Sequence, residues 1–463
     1  MFYFKEKKLD IRLEEELLTI VDEYNQLIVS VEYRHVLKVN IDDTSLSIHY
    51  VIKKSNKTLQ MKTLQIHNGS KEELTILCDE IQTKFTGRPK RILVFINPKS
   101  GKNKGIKIYQ KFAAPLFQLC DIKADVIVTT KPKEPAGILC KYDLIQIDGI
   151  VVVGGDGTYC ECMNGLVSRV QMDNHIDFHS HRSDIKRTSL PIGIIPAGSG
   201  DVIVQYLHGT RCARTAVLHI LLGNQVNSNI VSVHEGGKLL SYSALILGFG
   251  LFGDMMNQCE KFRWMGSSRF SVIPLGCMLK RRLLNVEVEY YPSKPTNKCQ
   301  KRTGVFGRQI SLPIFILSAT ALPKKRRTKS STDLQSCEQE TEDCQKEKGR
   351  AYGIDSRAIT IKEKNGKLAP QFGHESLVVF TTHQCTLLDH IAQLTKVKNE
   401  KPDCYDYKFV NKHEVSAYRV RLLNTPQKDN YINCDGEVIR LTEPMFDVKL
   451  HTKAVRFYGD ISQ

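Results

Sequence analysis

The sequence predicts an α/β domain with a parallel β-sheet, preceded by a small β-rich unit and followed by a larger β-rich domain. Three observations support this fold class. Short buried-strand patterns alternate with helical patterns from about residue 89, glycine-rich turns follow three of those strands, and strand patterns dominate from about residue 224. Strand, loop and helix in repetition are typical of a parallel sheet with helices on both sides. With 463 residues the chain is long enough for two or three domains, which we place at 1–88, 89–223 and 224–463.

The first unit, residues 1–88, consists of strand patterns and one closing helix. Apolar residues alternate with more polar neighbours at Leu46, Ile48, Tyr50 and Ile52. A second strand pattern covers Lys57 to His67, and Ser70 to Phe85 has apolar residues at helical spacing. Several strands closed by a helix fit a small barrel that binds a lipid or a peptide, but this order of elements is common.

The α/β domain has four buried-strand patterns and a clear helix candidate. The strand patterns are Ile92 to Ile96, Ala124 to Val128, Gly149 to Val153 and Ile192 to Ile195. The helix candidate is Ile106 to Leu119, whose apolar residues share one face. In parallel sheets ligands bind beyond the carboxyl ends of the strands. The glycine-rich turns of this chain fall at those ends.

Beyond about Asn224 alternating patterns predict an antiparallel β domain. The alternating residues are Val286, Val288 and Tyr290, then Tyr418, Val420 and Leu422, and finally Val448 and Leu450. A cleft between this domain and the α/β domain is a natural place for an active site.

Two polar segments resemble insertions. Gln171 to Arg187 carries three histidines (His175, His179 and His181), but no carboxylate or cysteine spacing completes a metal site, so we expect a solvated loop. The segment from Lys324 to Gly349 begins with KKRRTK and continues rich in serine, glutamine and glutamate, which predicts a disordered surface loop near 324–349. Its basic start could contact an anionic membrane or remain a solvated charge run.

Composition narrows the classes of partner. The net charge of +16 favours anionic ligands, namely nucleotide phosphates, acidic lipid head groups or nucleic acid. No nucleic-acid-binding module matches the sequence, so that partner is not expected. The N-terminal residues lack the apolar region of a signal peptide, and the longest apolar stretches, such as Phe270 to Leu279, are too short to span a bilayer. The cysteines form no CxxC pair, so we expect free thiols in a reducing cytosol and no metal site.

Three glycine-rich loops carry the chemistry. They are Asn97 to Lys102, Gly154 to Thr158 and Pro196 to Asp201, and each follows a predicted strand. Glycine lets the backbone approach a phosphate, and the following helix offers free N–H groups and the positive end of its dipole. None of the loops matches GxxxxGK[ST] or GxGxxG, so neither an ordinary P-loop nor a dinucleotide fingerprint is present. Three such loops at successive strand ends predict a phosphate-binding site.

Two acidic positions are candidates for the site. Asp156 lies between Gly155 and Gly157, where a carboxylate can face a ligand and act as the base that activates a hydroxyl. The alternative is that Asp156 caps the helix that starts near Thr158. The second position, Asp435 within NCDGEV, has the residues of a hairpin turn, and its sequence alone indicates only that structural role.

These motifs together resemble the diacylglycerol-kinase-type catalytic domain that diacylglycerol, sphingosine and ceramide kinases share. GGDGT at Gly154 to Thr158, followed by Glu161, and PAGSGD at Pro196 to Asp201 occur in that order. Further segments are similar to ceramide kinases in particular: RPKRILVFINPKSGK at Arg88 to Lys102, APLF at Ala114 to Phe117, GIIPAGS at Gly193 to Ser199 and EKFRWMG at Glu260 to Gly266. The resemblance runs from about residue 86 to the C-terminus.

The resemblance implies an enzyme that transfers the γ-phosphoryl group of ATP, with Mg²⁺, to the primary hydroxyl of ceramide. It implies a nucleotide-binding α/β domain, a β-rich lipid-binding domain, and Asp156 as the general base. The residues implied to bind the nucleotide are Asn97, Pro98, Lys99, Thr129, Glu161, Gly198, Ser199, Gly200, Arg263, Arg269, Asp435, Gly436 and Glu437. Those implied to lie beside the acceptor are Gly154, Gly155, Asp156, Gly157 and Asp254. No residue is assigned to a metal.

The chain departs from the family pattern in two places. In ceramide kinases the N-terminal unit resembles a pleckstrin-homology domain, but here it looks short, which leaves phosphoinositide or other anionic-lipid binding open. The strand Ala124 to Val128 normally leads into Thr-Glu, whereas here Thr129 precedes Thr130, Lys131 and Pro132, so the acidic partner is missing. The core loops are intact, and we therefore expect an active enzyme.

Two alternatives stay open. The chain could phosphorylate diacylglycerol or sphingosine, because the shape of the lipid pocket decides the acceptor. It could also be a ceramide-kinase-like protein that binds lipid without catalysis, although intact Asp156, Glu161 and Asp435 argue against this. Whichever of these lipids the chain phosphorylates, we expect a cytoplasmic protein that associates peripherally with intracellular membranes, where its lipid substrate resides.

Overall fold

The N-terminal unit is an antiparallel sheet closed by a helix. The computed structural model describes residues 2–4, 7–55, 57–67, 70–198, 200–293, 344–364, 367–398, 403–423 and 430–459. The first strands are β1 (Phe2–Phe4), β2 (Lys7–Leu13), β3 (Leu17–Asp22), β4 (Leu27–Glu32), β5 (Val36–Ile41), β6 (Ser45–Ser55) and β7 (Thr58–His67), with a 3₁₀ helix at Tyr33–His35. Their order in the sheet is β4-β3-β2-β1-β7-β6-β5.

Helix α1 (Lys71–Thr83) closes this sheet. The side chain of Ser70 caps it by accepting a hydrogen bond from the N–H of Glu73 at 3.3 Å. Leu74, Leu77 and Ile81 then fall on one face and pack into the core of the unit. The predicted strands and the predicted helix of this unit are confirmed, whereas its likeness to a pleckstrin-homology domain stays a prediction.

The second part is a parallel sheet with helices. Its strands are β8 (Arg91–Ile96), β9 (Lys123–Val128), β10 (Gly149–Gly154) and β11 (Pro191–Pro196). The helices are α2 (Ser100–Asn103), α3 (Gly105–Ile108), a π-helix at Tyr109–Ala113, α4 (Ala114–Leu119), α5 (Glu134–Leu139), α6 (Asp156–Asp173), α7 (Val202–His208) and α8 (Ala213–Leu222). All four strand predictions are confirmed, and the predicted helix from Ile106 to Leu119 is divided between α3, the π-helix and α4.

Strands β8, β10 and β11 of the parallel sheet are almost entirely apolar because both of their faces are covered. On β8, Leu93 and Phe95 pack into one hydrophobic core, while Ile92, Val94 and Ile96 pack into another on the opposite face. Continuous apolar runs of this kind are typical of parallel strands between two layers of helices.

The third part is mainly antiparallel. Its strands are β12 (Gln225–Glu235), β13 (Lys238–Ser243), β14 (Ile246–Gly250), β15 (Leu284–Pro292), β16 (Gln345–Arg357), β17 (Thr360–Lys364), β18 (Lys367–Gln371), β19 (Leu377–His383), β20 (Val410–Leu422), β21 (Tyr431–Cys434), β22 (Glu437–Arg440) and β23 (Met445–Tyr458). The helices are α9 (Leu251–Lys261), a 3₁₀ helix at Arg263–Ser268, α10 (Arg269–Leu279) and α11 (Leu387–Lys398). The antiparallel prediction is confirmed, but the sequence reading missed these helices.

Two predictions on insertions need correction. Residues 345–349 do not belong to a disordered loop, because β16 begins at Gln345 and pairs with β15. The rest of that predicted loop, residues 324–343, lies outside the described residues. The polar loop predicted from Gln171 to Arg187 starts later than expected, because α6 continues to Asp173.

Strand β23 joins the second and third parts into one sheet. It pairs in parallel with β11, Ile192 opposite Phe457, and antiparallel with β12 and β20. Phe457 therefore packs in the core of the α/β part, and Phe446, near the other end of the same strand, packs in the core of the β-rich part. The linear boundary at residue 224 stays a prediction, and the final strand crosses back over it.

The described residues contain no helix long and apolar enough to cross a membrane. The cysteines described are all free thiols. Within the same residues, no group of three or more His, Cys, Asp and Glu side chains is placed to hold a metal ion.

A polar cluster around Glu347 joins four strands of the β-rich part. The carboxylate of Glu347 on β16 lies 2.6 Å from Nε2 of His383 on β19 and 2.7 Å from Nδ2 of Asn411 on β20. The hydroxyl of Tyr290 on β15 donates to the same carboxylate at 3.2 Å. The hydrogen bond from His383 is the main reason why the pKa of Glu347 falls to about 2. Glu347 in turn raises the pKa of His383, and burial opposes this rise.

We expect His383→Gln to destabilise the protein mainly on the acidic side of neutrality. Because the folded-state pKa of His383 is raised, its stabilising contribution is complete below the unfolded value of about 6.5 and is lost as the pH rises through the folded value. For this half-buried pair we expect about 1 kcal/mol or less. Thermal unfolding followed by circular dichroism would show a larger difference from the wild type at about pH 5.5 than at about pH 9.

The matched control is His67→Gln, at an exposed position at the end of β7. We expect this variant to follow the wild type at both pH values. A difference in stability between His383→Gln and the wild type that does not change with pH would contradict the pH-dependent contribution assigned to the pair of His383 and Glu347.

Candidate functional site

The three glycine-rich loops meet at the carboxyl end of the parallel sheet. The strand order is β9-β8-β10-β11, so β9, which follows β8 in the chain, lies on one side of β8, and β10 and β11 lie on the other side. Ligands of such sheets bind in the crevice at this switch point. The N–H of Asn97 after β8 donates to the carbonyl of Val153 at 3.0 Å, and that of Ala197 after β11 donates to the carbonyl of Gly154 at 3.0 Å. The loops are therefore held side by side.

Asn97 fixes the first loop against the second. Its Nδ2 donates to the hydroxyl of Thr158 at 2.9 Å, and its Oδ1 accepts the N–H of Lys99 at 3.0 Å. Pro98 is half-buried, and the side chain of Lys99 is exposed. The structure thus brings these three predicted residues to one edge of the site.

The loops approach each other so closely that side chains would not fit. A Cβ at Gly198 would lie 2.6 Å from Cα of Gly155, and one at Gly101, where φ is +55°, would lie 2.2 Å from the carbonyl oxygen of Ala197. Gly157 is different, since a Cβ there would meet no atom within 4 Å. The crevice therefore has a floor of bare backbone with an open position beside Asp156.

Asp156 is the first residue of α6, and its carboxylate reaches across to another helix. Oδ2 accepts the N–H of Val202 at 3.2 Å, and Oδ1 accepts that of Ile203 at 3.3 Å. The alternative that Asp156 caps its own helix is thus wrong, because it caps α7. The close approach requires Gly200, where a Cβ would lie 2.9 Å from Oδ2. An ionised carboxylate has about four acceptor positions, so this one keeps capacity for a further donor.

Asp201 is a second carboxylate in the crevice that the predicted site residues did not include. It adopts a positive φ of 50°, and its Oδ1 accepts the N–H of Gly198 at 3.0 Å. Burial raises the pKa of Asp201 to about 6; the Gly198 N–H opposes the rise and the charge of Asp156 adds to it. Asp201 was visible as the last residue of PAGSGD, so the sequence contained the signal.

Glu161 and Glu437 come together from distant parts of the chain. Glu161 lies on α6, and burial raises its pKa, with a further contribution from the charge of Glu437. Lys133, at a positive φ of 62° before α5, places its Nζ 2.8 Å from Oε1 of Glu437. The N–H of Lys133 also binds Glu161 and opposes the rise in its pKa. Lys133 is a site residue that the sequence analysis missed.

The loop after β9 supplies its own acid. The carboxylate of Glu134 accepts the N–H groups of Thr130 and Lys131 and the hydroxyl of Thr130. This carboxylate comes four residues after the position where the family pattern has its acid. Thr129 is buried, and its hydroxyl donates to the carbonyl of Ile96 at 3.3 Å, so it supports the β8–β9 edge.

Asp435 is buried, and its carboxylate organises a neighbouring turn. Its oxygens accept the hydroxyl of Ser243 at 2.7 Å and the N–H groups of residues 244, 245 and 246 at 2.6, 2.9 and 2.9 Å. The thiol of Cys160 on α6 donates to it at 3.6 Å. Burial raises the pKa of Asp435, and the four donors oppose that rise. The hairpin turn predicted here is confirmed, with Gly436 at a positive φ of 96°.

The remaining predicted residues lie on the helical segment after β14. Asp254 on α9 forms a two-bond ion pair with Arg282, each bond 2.8 Å long. Arg269 is the first residue of α10, and Arg263 opens the preceding 3₁₀ helix. The side chain of Arg263 and the whole of Ser199 lie outside the described part of the structure. Contacts of both arginines with phosphates stay a prediction.

We expect Gly198→Ala to lower the stability of the protein. The added Cβ would meet the backbone of Gly155 at 2.6 Å and Oδ1 of Asp201 at 2.7 Å, and overpacking of this kind costs about 1–3 kcal/mol. Urea denaturation measures the change. The control is Gly137→Ala in α5, where a Cβ meets nothing within 4 Å. Equal stability of the two variants would contradict the close loop packing.

We expect Asp435→Asn to destabilise the protein more than Ser243→Ala does. The amide –NH₂ of asparagine would face backbone N–H donors that now bind carboxylate oxygens, and each unsatisfied buried group costs about 1–3 kcal/mol. Ser243→Ala removes a single hydrogen bond, which is worth about 1 kcal/mol. Denaturation curves of the two variants test this order, and the reverse order would refute the role given to Asp435.

Comparison with known proteins agrees with this geometry. Residues 91–233 match the family of the diacylglycerol kinase catalytic domain, and this stretch contains all three loops and Asp156. A crystal structure of a putative diacylglycerol kinase from Bacillus anthracis str. Sterne matches with a TM-score of 0.50 and 13% identity, covering 81% of this chain and 99% of that chain. At this identity the likeness concerns the fold alone.

Two relatives extend the comparison. Sphingosine kinase 2 of Arabidopsis thaliana is 33% identical over 211 residues, covering 45% of this chain and 41% of that protein. The ceramide kinase of Homo sapiens is 30% identical over 416 residues, covering 82% of this chain and 75% of that protein. This chain belongs to the ceramide kinase family, lipid phosphotransferases that carry a diacylglycerol-kinase-type catalytic domain.

Proposed function

We propose that this chain phosphorylates the primary hydroxyl of ceramide, with ATP and Mg²⁺, to give ceramide 1-phosphate. The observation that carries the proposal is the carboxylate of Asp156, which two N–H groups of α7 hold beside the open position at Gly157. The 30% identity to human ceramide kinase supports ceramide as the acceptor.

Asp156 acts as the general base. A primary hydroxyl is a weak nucleophile, and a positioned carboxylate that accepts its proton makes it a better one. The hydroxyl oxygen then bonds to the γ-phosphorus, the bond to the β,γ-bridging oxygen breaks, and ADP leaves. The N–H groups of Val202 and Ile203 fix the orientation of the base, so little reorganisation is needed when the acceptor binds.

The nucleotide binds across the three loops. Gly101, Gly155 and Gly198 let the loops pack against one another at the carboxyl end of the sheet, and the exposed Lys99 adds positive charge to the first loop. Asn97 and Gly200 act indirectly, since Asn97 holds the first loop on Thr158 and Gly200 makes room for the Asp156 carboxylate.

The residues around Glu161 and Glu437 suit a divalent cation. Their carboxylates lie close enough for the charge of Glu437 to raise the pKa of Glu161, and the ammonium of Lys133 already binds Glu437. Mg²⁺ in kinases typically takes one or two protein carboxylates together with phosphate oxygens. When bound, it neutralises charge on the transferred phosphoryl group.

The β-rich part would hold the lipid. The turn that Asp435 organises leads directly into β14 and then α9, where Asp254 lies. Since both oxygens of Asp254 bind Arg282, a polar head group meets an ion pair there rather than an unpaired carboxylate. Diacylglycerol and sphingosine are the alternative acceptors, and the similarity to an Arabidopsis sphingosine kinase supports sphingosine as one of them.

The test is phosphoryl transfer from ATP to ceramide, diacylglycerol or sphingosine in mixed micelles. We expect preferential labelling of ceramide and a loss of kcat of about a hundredfold or more in Asp156→Asn, because the base is lost. The control is Asp79→Asn, at an exposed position on α1, which we expect to be as active as the wild type.

The alternative outcomes separate the parts of the proposal. Preferential labelling of another lipid would keep the mechanism and discard ceramide. Full activity of Asp156→Asn would discard the base. A folded protein that labels none of the three lipids would favour the lipid-binding alternative without catalysis.

A further inference from the structure

Helix α10 presents apolar side chains to solvent on one face. Val272, Leu275 and Leu279 are 56%, 61% and 69% exposed, and their spacing of three and four residues places them on the same stripe of the helix. Met278, on another face of α10, is buried. The usual amphipathic arrangement has its apolar stripe toward the core, whereas the described part of the chain leaves this stripe of α10 largely exposed to solvent.

Two further exposed apolar side chains lie on elements that pack against α10. Trp264 in the preceding 3₁₀ helix is 80% exposed, and Leu388 at the start of α11, which packs against α10, is 79% exposed. Together with Val272, Leu275 and Leu279 they form what we name the α10 patch. Single exposed apolar residues are common on protein surfaces, but several on elements that pack together indicate an interaction site. Tryptophan in particular favours the interface between water and a lipid bilayer.

The charges around the α10 patch select its partner. Lys261 at the end of α9 and Lys280 just after α10 are both exposed. Of the nearby acids, Asp254 is neutralised by Arg282, Glu260 is half-buried next to Lys261, and the exposed Asp389 beside Leu388 accepts the hydroxyl of Thr386. An apolar stripe flanked by lysines matches a bilayer with anionic head groups, as does the net charge of +16.

The location of the patch also fits a bilayer. Helix α9 starts directly after β14, and β14 follows the turn that the Asp435 carboxylate holds beside α6 and the catalytic crevice. Helix α10 packs against α9. A membrane that touches α10 therefore lies beside α9, which connects through β14 and the Asp435 turn to α6. Asp156 is the first residue of α6, and an acceptor from the bilayer has to reach it.

We propose that the α10 patch is the membrane-docking surface of this protein and that it binds bilayers containing anionic phospholipids. The inference builds on the proposed lipid acceptor but makes a separate claim, since it names the surface rather than the substrate. Docking places the aromatic and aliphatic side chains among the lipid head groups, with the lysines at the anionic surface.

The protein contains a single tryptophan, so its intrinsic fluorescence reports directly on the α10 patch. We expect vesicles of equal parts phosphatidylcholine and phosphatidylserine to shift the emission of Trp264 to shorter wavelength. The shift should weaken with added salt and on vesicles of phosphatidylcholine alone, because the electrostatic attraction is then reduced. An emission that vesicles do not change, in a protein that phosphorylates lipid in micelles, would overturn the docking surface and leave the proposed function standing.

The variant Leu275→Asp/Leu279→Asp tests the patch without altering Trp264. We expect at least about tenfold weaker vesicle binding in co-sedimentation, because two apolar side chains no longer enter the interface. Activity on ceramide in vesicles should fall in parallel, while activity on a water-soluble short-chain ceramide is retained. The matched control is Ile145→Asp, which replaces a side chain 90% exposed in the loop before β10.

Two results would refute the assignment. One is vesicle binding by Leu275→Asp/Leu279→Asp that equals that of Ile145→Asp. The other is a blue-shifted emission that appears without vesicles and grows with protein concentration, which would assign the α10 patch to a second copy of the chain.

Discussion

The buried carboxylate of Asp435 is the contact on which the geometry of the site depends. It holds residues 243–246 through four donors and receives the thiol of Cys160, so it ties the β21–β22 hairpin to the turn before β14 and to α6. Two consequences follow from this fixed point. Glu437, two residues further on, comes opposite Glu161 and meets Lys133. Helix α9 begins at the end of β14 and packs so tightly on β21 that a Cβ at Gly253 would lie 2.2 Å from the carbonyl of Tyr431.

A carboxylate in this position is stable only because the chain surrounds it with donors. Burial of an isolated charge is costly, and an unpaired one would take up a proton instead. Here one hydroxyl and three N–H groups solvate both oxygens, which replaces the water that folding removes. The same arrangement joins two segments almost two hundred residues apart in sequence, and β23 reinforces it by running through both cores. The crevice is therefore formed by folding rather than by the ligand.

The parts of the fold that could be predicted from sequence are those determined locally. Strands β8, β10 and β11 are buried on both faces, so their apolar runs are unmistakable, and the glycine loops follow them at once. The first half of β16 was not predicted as a strand, because it lacks such an apolar run. Gln345 to Arg350 are mostly exposed and read as a polar stretch, but the ladder with β15 makes them a strand. Lys133 could not be found either, because its meeting with Glu437 depends on two loops more than three hundred residues apart.

The structural role of Asp156 and the base role that we propose for it depend on the same contact. An aspartate at the start of a helix usually caps it, and a cap was the alternative to a base. The carboxylate does cap a helix, but it is α7, and this fixes both oxygens while Gly157 leaves the space beside them open. A base that must accept a proton from an incoming hydroxyl gains from an orientation set beforehand, since no rotamer has to be selected during the reaction. The cap on α7 thus suits Asp156 to the base role that we propose, and a structural role for it is no argument against a catalytic one.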